Sequence, residues 1–365
     1  MTTPLADKIK AIISVNGPIS VTDYFALCLA DPEHGYYKTR DPFGRGGDFV
    51  TAPEVSQLFG EMIGVFLVEA WRKHLRPSRN LRIAEIGPGR GTMMADILRT
   101  VRQLAPELYD AATVHLVETS PALRSIQQTT LASHSEKLAW HESFDTIPPG
   151  FLLFVANEFF DAVPIRQFVK TANGFRERLV GVDERENLAF AAGVTGVDPA
   201  LLPAGHQAAA PGTIAEVAPA RMAIMQLLSD RLFDAGGTAL IIDYGHLATG
   251  LGDTLQAVFK HTFDPPLAHP GEADLTSHVD FQSLAEIARS RSIAVNGLMT
   301  QGEFLLKLGL LERAGALGRG KSPKQQAEIQ AAVERLAGTA PNQMGELFKV
   351  MSVSSPDVQL AQFID

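Results

Sequence analysis

Cysteine is nearly missing from this chain. Cys28 is the one cysteine in 365 residues, which excludes an internal disulfide and any zinc site built on cysteine. Such a chain fits a reducing compartment, cytosol or an organelle matrix. Long hydrophobic runs are lacking too: Phe151 to Ala156 and Ala239 to Ile242 fall far short of the ~20 residues that span a bilayer. The first residues have none of the charged, apolar and cleavage-site pattern of a secretory signal, so no export is expected. Basic charge is in deficit, 32 Lys and Arg against 41 Asp and Glu for a net -9, which disfavours a general nucleic-acid coat. The ten histidines show no H-x-x-x-H or H-E-x-x-H spacing, so no metal is expected. No G-x-S-x-G marks a serine hydrolase.

The rest is ordinary globular composition, 45% apolar and 20% charged, long enough to bury a large core. At about 150 residues per domain, two to three domains are expected. Residues 1–80 read as a helical extension with a loop. Leu5, Ile9, Ile12 and Ile13 share a helical face, a second helix starts near Val21, and a long helix from Val55 to His74 turns Phe59, Ile63, Phe66, Leu67 and Ala70 inward. From Leu81 strands and helices alternate: Leu81–Ile86, Thr92–Leu104, Thr113–Val117, Phe151–Ala156, Ala220–Leu232 and Gly237–Tyr244. That alternation implies right-handed crossovers and a parallel sheet covered on both faces. The core is expected at 81–265 and 340–365, with a hairpin insertion at about 165–195 around Asn173-Gly174 and a last strand at Phe348–Val353. Residues 266–339 read as a helix-rich inserted subdomain.

The most informative segment is Glu85-Ile-Gly87-Pro88-Gly89-Arg-Gly91, a strand running into a glycine loop with a helix directly after it. Glycines let the backbone turn tightly and approach a ligand, and the helix start offers free N–H groups. Two cofactors compete for such a loop. A dinucleotide site reads G-x-G-x-x-G, whereas here the third glycine comes one residue sooner. Glu85 sits badly beside a pyrophosphate and suits the ammonium of S-adenosylmethionine, which carries no phosphate. Glu118 ends the second strand, where a carboxylate accepts hydrogen bonds from both ribose hydroxyls. A tight turn that binds nothing, and a solvated strand end at Glu118, are the plainer readings.

Phe151–Ala156 runs into Asn157-Glu158-Phe-Phe-Asp161-Ala-Val-Pro164, beyond the carboxyl end of a strand, where ligands lie in open α/β sheets. Asn157, Glu158 and Asp161 there would face a transferring group: carboxylates clamp a guanidinium and take up its proton, and an Asn-led turn grips a planar nitrogen. A turn capped by Asn157 and Asp161 is the structural alternative. The Gly46–Glu54 loop, including Thr51, has the freedom of a lid over a bound cofactor or of a plain surface loop. Ser143 and Phe144 are placed to flank an adenine, unless Phe144 is a core residue. Asp243-Tyr-Gly245 lines the cleft or caps a helix. Gly315 to Ser322 satisfies the P-loop pattern in full, but Phe304, Leu305, Leu308 and Leu311 before it fit a helix, not the strand a P-loop needs. A helix–helix connection is the better reading.

Taken together these residues resemble the MidA-like family of S-adenosylmethionine-dependent methyltransferases, which includes a mitochondrial complex I assembly factor and many bacterial members. The resemblance rests on Asp31-Pro-Glu-His-Gly-Tyr-Tyr37, Gly47-Asp-Phe-Val-Thr51-Ala-Pro-Glu54, Phe59-Gly60-Glu61, the Glu85–Gly91 loop, Asn157–Pro164 and Ile242-Asp-Tyr-Gly245. Val163 stands where leucine is expected, and Val117-Glu-Thr-Ser-Pro121 is close to the usual acidic-x-Ser-Pro form. The resemblance implies a class I Rossmann-like methyltransferase sheet with an N-terminal helical extension and inserted helical and hairpin segments. It implies S-adenosyl-L-methionine as cofactor and S-adenosyl-L-homocysteine as product. Glu85, Gly87, Pro88, Gly89, Gly91, Glu118, Thr51, Ser143 and Phe144 would face the cofactor, and Asn157, Glu158 and Asp161 the acceptor. Family members look like protein arginine methyltransferases acting on a core subunit of respiratory complex I during assembly. The expected partner is therefore a protein substrate, with a homodimer open, no nucleic acid and no membrane span. The expected place is the bacterial cytoplasm or the mitochondrial matrix. A cofactor-binding assembly chaperone without turnover and a nicotinamide-dependent dehydrogenase are the alternatives.

Overall fold

A computed structural model describes residues 3–39, 51–77, 79–356 and 358–360. The chain divides into two compact units: Met1–Phe49, Asp161–Ile224 and Ala248–Asp280 form one, and Val50–Phe160, Met225–Leu247 and Phe281–Asp365 the other.

The larger unit contributes seven strands to an eight-strand sheet. In chain order its strands are β1 (Leu81–Ile86), β2 (Ala112–Val117), β3 (Leu138–His141), β4 (Phe151–Asn157), β5 (Gly237–His246), β6 (Ala294–Thr300) and β7 (Phe348–Ser354). Their order across the sheet is β3-β2-β1-β4-β5-β7-β6, with β1 to β5 parallel and β7 antiparallel to both its neighbours. This is the expected Rossmann-like order, with one reversed strand set in near the end. All of β4, and all of β1 except Arg82, is buried, because a parallel sheet carries helices on both faces. The register decides where chemistry collects. Ile86 lies opposite both Val117 and Ala156, and Ile242 opposite Asn157. The strands therefore end level, which brings Gly87, Glu118, Asn157 and Asp243 to one sheet edge.

Helices of this unit include α1 (Ala52–Val55), α2 (Gln57–Lys73), α3 (Thr92–Leu104), α4 (Pro121–Thr130), α5 (Gln301–Lys307), α6 (Leu310–Gly318) and α7 (Pro323–Ala337). The apolar face read from sequence for α2 is buried in a single core with β1, β2, β4 and Met93, Met94, Ile97, Leu98 and Val101 of α3. Gly60 and Gly64 set how closely these helices approach. A Cβ on Gly60 would fall 2.6 Å from the Asp96 Cβ, and one on Gly64 would fall 2.8 Å from the Thr100 Cβ. Next to them Glu61, 4% exposed, accepts from Arg99 at 3.0 Å and from Arg313 at 2.8 and 3.0 Å, pinning α6 to α2 and α3. The P-loop pattern falls between helices: α6 leads into it, and Ser322 caps α7 in a capping box with Gln325. No strand feeds that loop.

In the smaller unit, helices Pro4–Asn16 and Val21–Ala30 pack with Ile165, Val180, Leu255 and Leu275. The expected hairpin is present, Arg166–Thr171 with Gly174–Val182, and Thr171 pairs with Gly174 across the turn. It belongs to a five-strand antiparallel sheet with Ile19–Ser20, Leu188–Gly196 and Ile214–Val217.

The division differs from the one expected at residue 80. Helix α2 belongs with the large sheet, and the hairpin belongs with the N-terminal helices. Residues 266–339 do not stand alone: Ala273 and Leu275 sit in the core of the smaller unit, while 294–337 contribute β6 and α5 to α7 to the larger. The reason is long-range contact that local patterning does not reveal, such as the Thr3 hydroxyl donating to the Pro270 carbonyl at 2.8 Å. Among the described residues no helix is long and apolar enough to cross a membrane.

Candidate active site

The glycine loop leaves β1 with Gly87, Gly89 and Gly91 at φ of +65°, +52° and +80°. An L side chain in this left-handed region costs about 1–2 kcal/mol, which accounts for glycine at all three places. The Gly87 amide donates to the Val117 carbonyl at 3.1 Å and the Gly91 amide to the buried Pro88's carbonyl at 2.8 Å, closing a tight turn. A Cβ on Gly87 would fall 3.2 Å from the Phe159 ring. Helix α3 starts at once, with Gly91 as an N-cap that has no side chain to satisfy its first N–H groups. Two residues before the loop, Glu85 is 3% exposed and its Oε2 has no hydrogen-bond partner among the described residues. Burial pushes its carboxyl up to about 8.

Glu118 stands one strand over. Its Oε1 accepts from the Ser120 amide at 2.7 Å and its Oε2 from Gln127 Nε2 at 3.3 Å. Burial raises its pKa, and these bonds work against that rise. Gln127, fully buried on α4, also donates to the Gly89 carbonyl at 2.8 Å and accepts from Trp140 Nε1 at 2.9 Å. It joins the glycine loop to Glu118. Nothing in the sequence marks Gln127 out: a glutamine in the second turn of an amphipathic helix carries no signature. Beyond β3, Ser143 is exposed and donates to Asp145, while Phe144 packs edge-on against Phe154 with ring centroids 5.3 Å apart.

The turn after β4 is held from several sides. Asp243, fully buried, accepts the Phe160 amide at 2.9 Å and the Tyr244 amide at 3.0 Å. It anchors this turn instead of lining a cleft or capping a helix. Glu158 has φ +50°. Such strain in a non-glycine residue persists only where the surroundings over-determine it. Here its amide donates to the Ile242 carbonyl at 3.0 Å, and its Oε1 accepts from Asn157 Nδ2 at 3.1 Å and from the Ala52 amide at 3.2 Å. Asn157 is 8% exposed, and its Oδ1 has no hydrogen-bond partner among the described residues. The two thus bring an amide oxygen and a carboxylate to the strand end. Thr51 caps α1 without a side-chain bond, and Glu54 on α1 accepts the Thr92 hydroxyl at 2.6 Å. Residues 46–50 of the expected lid lie outside the described residues. Asp161 falls in the smaller unit, 5% exposed. There its carbonyl accepts from the Ser277 amide at 3.2 Å and from Arg221, a buried arginine that also donates to the carbonyls of Val163 and His278.

Residues 62–299 match a family model described as "Putative S-adenosyl-L-methionine-dependent methyltransferase". The chain is 37% identical over 370 residues to the mitochondrial protein arginine methyltransferase NDUFAF7 of Danio rerio, covering 96% of this chain and 85% of that one. The Homo sapiens protein of the same name is 33% identical over 377 residues, with 96% and 83% covered. The chain belongs to this methyltransferase family. A superfamily member from Burkholderia thailandensis, crystallised bound to S-adenosyl-homocysteine, superposes with a TM-score of 0.82 at 28% identity and covers 98% of this chain and 94% of that one. As a methyltransferase the chain uses S-adenosyl-L-methionine. The residues at the sheet edge fit that cofactor and not a dinucleotide. A buried carboxyl with an orphaned oxygen beside the glycine loop wants a hydrogen-bond donor, best a cationic one, and a pyrophosphate supplies neither.

Proposed function

We propose that this methyltransferase modifies a nitrogen of a protein arginine, on a core subunit of respiratory complex I during assembly, in a bacterial cytoplasm or a mitochondrial matrix. The observation that carries the acceptor class is Asn157 Oδ1, buried and without a partner, beside the pinned Glu158 carboxylate. An N–H donor that is planar and cationic satisfies both. The names of the relatives, protein arginine methyltransferases, support arginine.

When bound, S-adenosyl-L-methionine supplies a methyl group on a sulfonium that departs readily. The chain's residues do the rest. Glu85 holds the ammonium of the amino-acid tail, and the three glycines leave room for that tail against the start of α3. Glu118, braced by Gln127, accepts from the ribose hydroxyls. Thr51, Ser143 and Phe144 border the cofactor in this reading, with Phe144 offering a ring edge near the adenine. Asn157 Oδ1 orients the acceptor N–H groups, and Glu158 keeps the guanidinium close and takes its proton as the methyl arrives. The barrier falls chiefly through alignment and exclusion of water.

The test incubates the purified chain with methyl-tritiated cofactor and complex I core subunits from cells that lack its gene. Label is expected in methylarginine after acid hydrolysis. Label in another residue overturns arginine as the target. Calorimetric binding of S-adenosyl-L-homocysteine with no label transfer would instead support an assembly chaperone. Asp161→Asn in the same assay tests the third acceptor residue expected from sequence.

A further inference from the structure

We propose that Glu54 is a positioning residue for methyl transfer, tying the turn that orients Glu158 to the first residue of the cofactor helix α3. The proposal rests on the methyl-transfer reading above and deepens it.

The tie consists of two bonds made by one short segment. Thr92, the first residue of α3, donates its hydroxyl to Glu54 Oε1 at 2.6 Å, across 38 positions of chain. Two residues before Glu54, the Ala52 amide donates to Glu158 Oε1 at 3.2 Å, across 106 positions. Between them the turn is stiff: the amides of Glu54 and Val55 both donate to the Thr51 carbonyl, at 2.9 and 3.2 Å. Ala52 is fully buried at the start of α1, where a helix leaves its amide without an acceptor of its own. Glu158 uses that spare donor.

The two ends of the tie have different work. Thr92 directly follows the loop that holds the cofactor tail, and Glu158 faces the acceptor. Glu158 also sits in a strained backbone conformation that persists only while its bonds persist. Without an acceptor at position 54 the turn keeps its internal bonds but loses its anchorage on α3. The Ala52 amide then drifts, and Glu158 loses a donor that helps to fix Oε1. Glu85, Glu118 and Gln127 make no bond to Glu54, so cofactor affinity should barely change. What suffers is alignment of the acceptor, where a 1 Å error costs about a hundredfold.

The experiment measures kcat, KM and S-adenosyl-L-homocysteine affinity for four variants, with complex I core subunits as acceptor. Glu54→Ala and Thr92→Val should lower kcat about 10- to 100-fold and leave cofactor KM and product affinity within about threefold. Glu54→Gln keeps an oxygen for the Thr92 hydroxyl, and Thr92→Ser keeps the hydroxyl. Both should recover kcat to within about threefold of the parent. Hydrogen exchange at the Ala52 amide reads the tie without turnover: faster in Glu54→Ala, unchanged in Glu54→Gln. An unchanged kcat in Glu54→Ala, an equal loss of product affinity, or no rescue by glutamine each overturns the proposal. If Glu54→Ala fails to fold, the contrast between Thr92→Val and Thr92→Ser decides. A parent chain that binds product yet transfers no label sinks the methyl-transfer reading itself, whatever the exchange data show.

Discussion

Glu85 is poised between two protonation states. Burial alone holds its proton up to about 8, against an ordinary 4.5. The folded chain therefore binds this proton more tightly than the unfolded chain, and Glu85 subtracts stability as pH rises from about 4.5 to 8. Where the cofactor's ammonium lies against this carboxyl, as proposed above, the preference reverses and the proton would leave as the ligand arrives. S-adenosyl-L-homocysteine should thus raise the melting temperature more at pH 8 than at pH 6. Titration calorimetry near pH 7 should show an enthalpy that varies with the buffer's ionisation enthalpy. Glu85→Gln should abolish that variation; its persistence would assign the proton to another group. At this scale much was legible beforehand. Glu85, the three glycines, Glu118 and Asn157 fall at strand ends, and strand ends can be read from apolar runs. Gln127 and the Glu54–Thr92 bond could not be read, because each joins residues whose meeting depends on how whole elements pack.

Elements show where a motif turns out to be packing. Phe59-Gly60-Glu61 belongs to the family resemblance, and its physical content is the contact between α2 and α3. Gly60→Ala would drive a methyl to 2.6 Å from the Asp96 Cβ, so the helices must part or Asp96 must move. Urea denaturation should show a loss of about 1–3 kcal/mol, the usual range for overpacking. An unchanged midpoint would mean that α3 yields freely. Strands β1, β2, β4, β5 and β7 and the hairpin were legible from apolar runs and from Asn173-Gly174. Strand β6 was not: every residue in it is half-buried, so it neither alternates nor runs apolar, and Asn296-Gly297 reads as a turn. The structure places a bulge there, between Val295 and Gly297.

The whole molecule should be sensitive to acid. His115 on β2 and His141 on β3 share a hydrogen bond at 2.8 Å, and both are held below their ordinary value, His115 at about 4, chiefly through burial and then through each other or neighbouring arginines. His74, bonded to Thr238, is likewise lowered to about 4 by burial. A histidine that stays neutral when folded takes its proton only when unfolded, so the stability it contributes is present above about 6.5 and lost as pH falls towards 4. The urea midpoint should fall steadily between pH 7 and 5, and His115→Asn should flatten that slope; a flat profile in the parent would contradict these shifts. The partition into two units was the part least legible in sequence. Each unit gathers three stretches of chain, and local patterning carries no trace of which stretches meet.

One feature of the sheet bears on how the protein is made. Strand β7 lies between β5 and β6 and supplies the hydrogen bonds that join them. It is also the last of the seven to leave the ribosome. Until Phe348–Ser354 emerges, β5 lacks this partner from Thr238 to Tyr244, and its backbone groups on that flank stay unpaired. Synthesis thus leaves a window of stickiness that closes only when this strand pairs, and a message stalled before it would yield a product prone to clump.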